Sequence, residues 1–369
     1  MSIELEIQLV AVVVAVACAL PGVFLVLRRL ALMSDAITHT VLLGIVLGFF
    51  LTGDITSPVL VFGAAAVGVL TVALVEVVRN TRLLKEDASI GLVFPALFSI
   101  AVLLIARKAG SVHLDTDAVL LGEIAFAPFR RLEVAGVDVG PRALYVMGGI
   151  LLLELLLIVA FYKELKLATF DPALAAALGF SPVLLHYAFM GLVSITAVGA
   201  FDAVGSVLVV ALMIAPPAAA YLLSDRLPVV LGLAALIAAV SAVSGFWLAW
   251  LADASIAGCM AAAAGACFVL ALLFSPARGL LAAVVRRRRQ RFEFAQLMLA
   301  IHLLHHQDTD AAAEECAEEQ LPVHLRWEAP YAARVVRAAE QAGWVERRAP
   351  GLLQLTSSGR QAAVSTMGG

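Results

Sequence analysis

From residue 8 to residue 275 the chain alternates long apolar runs with short polar breaks. The runs cover 8–27, 31–50, 58–78, 89–106, 143–162, 183–201, 203–223, 229–251 and 255–275. Each is near the ~17–25 residues a helix needs to cross a bilayer core. The pattern therefore predicts nine spanning helices and an all-α polytopic membrane protein. A shorter apolar piece, 117–128, is read as a re-entrant or interfacial segment that does not cross. The break near Gly199-Ala-Phe-Asp202 is too short for an ordinary loop and demands a sharp turn.

Two stretches depart from this rhythm. Residues 163–182 are amphipathic, and Asp171-Pro172 predicts a short helix with proline in its first turn, closed at Gly179. After Pro276 comes the basic run Arg286-Arg-Arg-Arg-Gln-Arg291, which reads as an anchor to lipid headgroups. Beyond it the composition becomes that of a soluble domain. Helical patterns cover 292–306, 310–319 and 330–342, the last ending at Gly343. Residues 344–356 alternate around Pro350-Gly351 in the manner of a hairpin. Three helices and a hairpin suggest a winged helix. The expected organisation is a transmembrane domain over 1–280, a basic juxtamembrane linker over 281–291, and a small cytosolic winged-helix-like domain over 292–366.

Composition agrees. Of 369 residues, 62% are hydrophobic and 14% charged, with mean hydropathy +1.00, against about 25% charged in soluble domains. The first residues, Met-Ser-Ile-Glu-Leu-Glu, are acidic where a cleavable signal would be basic, so none is expected. Cys18, Cys259, Cys267 and Cys316 form no CxxC pair, and three of them read as small hydrophobes within apolar spans. With the N-terminus outside, the inner breaks carry fourteen lysines and arginines and the outer ones five. That bias predicts N-out and C-in. From residue 292 onward, six basic and ten acidic residues give a net −4. DNA affinity comes largely from phosphate neutralisation, so nucleic acid is an unexpected partner; Arg334 and Arg337 would be its contacts. A regulatory or protein-interaction role fits the tail better.

Ionisable groups within spans are costly and usually face a pathway. Asp35 and His39 stand four apart at the start of the second run, about 5–6 Å from each other on one helical face. Carboxylate oxygen and imidazole nitrogen suit zinc, manganese or iron. The other reading has Asp35 capping a helix that starts near Ala36. Glu123 and Asp202, both placed outside, are candidates for an outer cation gate; their ordinary readings are an interfacial charge and a helix cap. His113, Asp115 and Asp117 form a weaker H-x-D-x-D collector in the outer loop. In the tail, His302, His305 and His306 with Glu314, Glu315 and Cys316 are a candidate metal sensor, against the commoner reading of surface histidines. Gly44 and Gly48 allow close helix packing.

Two motifs carry a family resemblance. One is Arg28-Arg29-Leu-Ala-Leu-Met-Ser-Asp35-Ala-Ile-Thr-His39-Thr-Val-Leu-Leu-Gly44. The other runs Phe170-Asp-Pro-Ala-Leu-Ala-Ala-Ala-Leu-Gly179, then Ala197-Val-Gly-Ala-Phe-Asp-Ala-Val-Gly205 and on to Ala215-Pro216-Pro217. Residues 1 to about 280 resemble the membrane permeases of bacterial ATP-binding-cassette importers for manganese, zinc or iron. The resemblance implies a homodimer or a pair of related permeases in the bacterial cytoplasmic membrane. It also implies two ATPase subunits, an extracytoplasmic metal-binding protein, and a divalent metal ion as substrate with no resident cofactor. It assigns metal passage to Asp35 and His39, and ATPase coupling to Phe170, Asp171, Pro172, Leu174 and Gly179. No G-x-x-x-x-G-K-[ST] motif occurs, so the chain is expected to be a transport subunit and not an enzyme. The tail extends beyond the family pattern. Rival readings are an importer of chelated iron or a vitamin, and a membrane-tethered metal-responsive regulator.

Overall fold

The computed structural model describes residues 2–53, 57–108, 124–134, 137–309, 312–349 and 351–367. The chain divides into two compact units, Met1–Gly279 and Leu280–Gly369.

In the first unit the helices are α1 (Ile3–Leu27), α2 (Ala31–Thr52), α3 (Pro58–Asn80), α4 (Glu86–Lys108), α5 (Arg142–Ala160), α6 (Tyr162–Phe170), α7 (Pro172–Ala177), α8 (Pro182–Val204), α9 (Ser206–Leu223), α10 (Leu227–Ala252) and α11 (Ile256–Phe274). Among the described residues nine are long and apolar enough to cross a membrane: all of these except α6 and α7. They coincide with the nine apolar runs.

Helix α1 lies at the centre, with Val10, Val14, Cys18 and Phe24 fully buried. It packs on α5, α9 and α10. Backbones approach closely where glycines remove side chains. A Cβ at Gly44 of α2 would sit 2.3 Å from the Gly63 carbonyl oxygen of α3. One at Gly22 of α1 would sit 2.2 Å from the Met213 carbonyl, beside Pro217 of α9. A proline cannot donate to the carbonyl four residues back, which leaves that Met213 oxygen without its helical donor. Between α2 and α3, Thr71 donates to the Thr40 hydroxyl at 2.8 Å, satisfying polar groups deep in the core.

Two features differ from the sequence expectation, and a third expectation falls largely outside the described residues. Helix α8 runs through Gly199 and Asp202, and the break falls at Gly205, whose φ of 79° and ψ of 165° turn the chain directly into α9. Residues 109–123 lie outside the described ones; the apolar piece 117–128 is seen only from Ile124–Phe129, a 3₁₀ turn. The first unit is also not purely helical, because β1 (Arg131–Val134) and β2 (Val137–Pro141) form an antiparallel hairpin. Its strands are too short for a periodic signal.

The second unit contains α12 (Leu280–His306), α13 (Ala312–Glu315), α14 (Leu321–His324), α15 (Ala329–Gln341), β3 (Val345–Ala349), β4 (Leu352–Leu355) and α16 (Ser357–Met367). The basic run lies within α12, continuous with the helix expected at 292–306. Where one helix is expected at 310–319, the described residues hold only the short α13, and α14 follows beyond that stretch. Strands β3 and β4 pair antiparallel as the Pro-Gly turn predicts. Buried positions Ala332, Val335, Val336 and Ala339 recur every three to four residues along α15. They pack with Leu299, Leu303, Cys316, Leu353 and Leu355 in a separate core.

Candidate functional site

Helix α2 starts at Ala31 with Leu30 as its cap residue and no side-chain cap. Asp35 is therefore in the second turn, and the capping alternative does not hold. Met33, Ser34, Ala36, Ile37, Thr38 and Thr40 are buried, leaving Asp35 and His39 on the one face of this segment that stays partly open. Their side chains are 41% and 24% exposed, and His39 Nε2 lies 3.4 Å from Asp35 Oδ1. The imidazole is wedged between aromatic rings of α4: its centroid is 5.3 Å from Phe94 and 6.0 Å from Phe98. These rings fix the histidine while offering it no competing hydrogen bond. Among the described residues the Asp35 carboxylate has no partner but His39. A carboxylate and an imidazole so held can present one oxygen and one nitrogen to a cation.

The coupling candidates form a built element. Asp171 caps α7, its Oδ1 accepting from the Leu174 N–H at 2.9 Å. Pro172 occupies the first turn, where its missing N–H costs nothing. Gly179 closes the segment at φ 88°, its N–H donating to Ala176 while Phe180 N–H donates to Ala175. Phe170 and Leu174 stand 59% and 46% exposed, an apolar pair left open at a hydrophilic end of the bundle. Beside them opens a groove lined by Tyr162, Lys166, Phe170 and Arg226.

Sequence reading missed the groups that tie these two elements together. Arg28, in the turn before α2, donates through Nε to Thr169 Oγ1 at 3.0 Å, next to Phe170. Its guanidinium also lies 5.0 Å from the Phe189 ring centre on α8. Burial pulls its pKa down to about 10. Nearby, Glu76 of α3 binds α8: Oε1 lies 3.2 Å from His186 Nε2, and Oε2 accepts from Tyr187. Nothing in the spacing of Arg28 and Thr169, or of Glu76 and His186, signals these contacts.

At the other end of α8, Asp202 pairs with Arg130 at 3.1 Å on an exposed surface. It is the last turn of α8 and caps no following helix. The structure does not bring it to Asp35 and His39. Glu123, His113, Asp115 and Asp117 lie outside the described residues. Arg131 joins Glu6 of α1 at 3.3 Å and Asp138 of β2, holding the hairpin against α1. A neighbouring Arg131 guanidinium holds the Asp138 carboxyl below its ordinary range.

Within the apolar helix α5, Glu154 is fully buried; Thr196 of α8 donates to its Oε1, and Oε2 has no hydrogen-bond partner among the described residues. In the second unit, His302, His306 and Glu315 converge.

Residues 4–275 match the model of the ABC 3 transport family. The zinc transport system membrane protein TroD of Treponema pallidum (strain Nichols) is 52% identical over 355 residues, 96% of each chain. The manganese transport system membrane protein MntD of Bacillus subtilis (strain 168) is 48% identical over 295 residues, 80% of this chain and all of that one. The extension past the membrane unit, a departure from the expected family pattern, is thus shared with the Treponema protein. Among solved structures, PsaBC from Streptococcus pneumoniae in complex with Fab superposes with a TM-score of 0.63 at 26% identity, covering 75% of this chain and 94% of that chain.

Proposed function

This chain belongs to the ABC 3 transport family, and on that premise we propose that it is the permease subunit of an importer for a divalent transition metal. It works by alternating access and is energised by ATP hydrolysis on a partner chain. The observation that carries this reading is the Asp35–His39 pair, 3.4 Å apart on the partly open face of α2. An ion shedding water needs replacement ligands, and nitrogen and oxygen donors suit zinc, manganese and iron alike. Relatives named for zinc and for manganese support the class and leave the choice between metals to experiment.

A second permease copy facing this one would supply a second aspartate and histidine, giving four ligands across a two-fold axis. The path opens alternately to either side as α2 and α8 move. We place the N-terminus outside on the lysine and arginine bias. That puts Arg28, α6 and α7 at the cytoplasmic surface, where Phe170 and Leu174 present an apolar contact to the ATPase. Asp202 with Arg130 belongs to the outer mouth, facing an extracytoplasmic metal-binding protein. The second unit, with α15 followed by the β3–β4 hairpin, is of winged-helix type and acts as a regulatory or protein-contact module; its net negative charge argues against DNA.

Uptake of free radiolabelled zinc and manganese by cells with and without the transporter tests the reading. Accumulation of a free ion, unaffected by added siderophore complex, supports it. Uptake of the chelate alone would replace it with a chelate importer.

A further inference from the structure

In the second unit, three imidazoles surround one carboxylate. His302 and His306 are one turn apart on α12, with ring centres 4.7 Å from each other. Glu315 closes α13, and its Oε2 lies 3.2 Å from His324 Nδ1 and 3.7 Å from His302 Nε2. His302 and His324 are stacked with centres 5.9 Å apart. Ligand atoms of His302, His306 and Glu315 all fall within 4.8 Å of one another.

We propose that His302, His306, Glu315 and His324 form a binding site for a divalent transition ion of the zinc class. It is separate from the Asp35–His39 pair and independent of the transport reading. Three nitrogens and one oxygen are a ligand set met in tetrahedral zinc sites, and they favour zinc, cobalt or nickel over manganese, which prefers oxygen. In a tetrahedral site with metal–ligand bonds near 2.0–2.2 Å, ligand atoms stand about 3.3–3.6 Å apart. Among His302, His306 and Glu315 the ligand atoms therefore need to tighten by roughly an ångström at the widest, and His324 joins them through Glu315, whose Oε2 lies 3.2 Å from its Nδ1. His302 Nε2 now contacts the Glu315 carbonyl oxygen at 2.9 Å; ligation through that nitrogen exchanges this bond for a coordinate one.

The surroundings select these four from the wider set of candidates. His305 turns away, its Nδ1 bonding to the Ile301 carbonyl on an exposed face. Cys316 is packed in the apolar core. His302, His306 and Glu315 are partly buried, and His324 lies at the exposed rim with its side chain 25% exposed, so the site is open to an entering ion. The pair spaced i, i+4 is anchored on a helix of 27 residues, while Glu315 and His324 come from the two short helices that follow. A bound ion would thus staple the end of α12 to α13 and α14, giving the unit a metal-dependent stiffness.

The test uses purified full-length protein in detergent, stripped with chelator, with Asp35→Ala and His39→Ala removing the transmembrane pair. Cobalt is the probe, because a tetrahedral nitrogen site gives it intense visible absorption. We expect one cobalt per chain with that absorption, displaced by zinc. Adding His302→Ala and His306→Ala should abolish it while the helical circular dichroism is kept. Should that variant fold poorly, His324→Asn alone is expected to weaken cobalt binding by about tenfold or more. Zinc should raise the melting temperature of the parent and leave the His302→Ala/His306→Ala protein unmoved. Absence of tetrahedral cobalt in the parent, or the same spectrum and affinity in the histidine variants, would overturn the proposal.

Discussion

Arg28 reaches Thr169 across 3.0 Å and thereby fastens the turn that introduces α2 to the last residues of α6. The element carrying Asp35 and His39 and the element carrying Phe170 and Asp171 thus share a hydrogen bond, although 141 residues separate its partners in sequence. A partly buried guanidinium with, among the described residues, one directed side-chain bond and one aromatic face is sensitive to the loss of either. Its second terminal nitrogen, NH2, has no partner among the described residues.

Replacing Thr169 by valine keeps the shape and removes the acceptor. A hydrogen bond to a charged group contributes about 1.5–3 kcal/mol, so the melting temperature in detergent should fall. Transport should fall further than ATP hydrolysis, because the link between the two elements is cut. Arg28→Lys should not rescue coupling, since an ammonium cannot both stack on Phe189 and aim at Thr169 as a planar guanidinium does. Equal losses of transport and hydrolysis would instead indicate simple instability.

At the α2–α3 crossing, Gly44→Val should be severe. Its Cβ would collide with backbone at 2.3 Å, which no rotamer change relieves. Overpacking of this kind costs about 1–3 kcal/mol, and the displaced α2 would also misplace Asp35. Gly91→Ala on α4, where an added Cβ meets nothing within 4 Å, is the matched control and should be nearly silent. Thermal unfolding of both variants, with metal uptake alongside, checks the contrast.

Gly179→Arg adds a side chain where there is room, but at φ 88°, where non-glycine residues are strained by about 1–2 kcal/mol. The stop after α7 should loosen, and Leu174→Asp should remove the apolar contact without disturbing it. Both are expected to leave the permease folded and to reduce ATPase co-purification. If Leu174→Asp retains full ATPase binding, α7 is not the docking element.

The β1–β2 hairpin supplies a pH prediction. Asp138 has its pKa lowered by the hydrogen bond from Arg131. The pair therefore stabilises the fold above the ordinary carboxylate pKa of about 3.9, and its contribution fades as pH falls through the depressed value. Amide exchange in residues 131–141 should be faster in Arg131→Ala than in the native protein at neutral pH. The two should converge in strong acid; a difference independent of pH would point to Glu6 or to packing instead.

Much of this was readable in the chain, for reasons that differ by element. Nine spans announce themselves because twenty apolar residues in a row have few other uses. Asp35 and His39 stand out because charge within such a run is rare. Asp171-Pro172 and Gly179 mark α7 through capping chemistry that acts over three or four residues. The α8–α9 break was misplaced because Asp202 looks like a loop residue, yet a helix emerging at the bilayer edge tolerates it on an exposed turn beside Arg130. Only glycine accepts the backbone conformation at Gly205, and that conformation is not written in hydropathy. Arg28, Thr169, Glu76, His186 and His324 were invisible as site residues, because what makes them so is a tertiary contact.

Metal accumulation by cells carrying Asp35→Ala or His39→Ala, with membrane expression and ATPase assembly verified, bears most directly on the transport mechanism. Each single variant should lower zinc or manganese uptake to the level of cells lacking the permease while the complex remains intact. Native uptake in either variant would show that the ion does not pass by this pair.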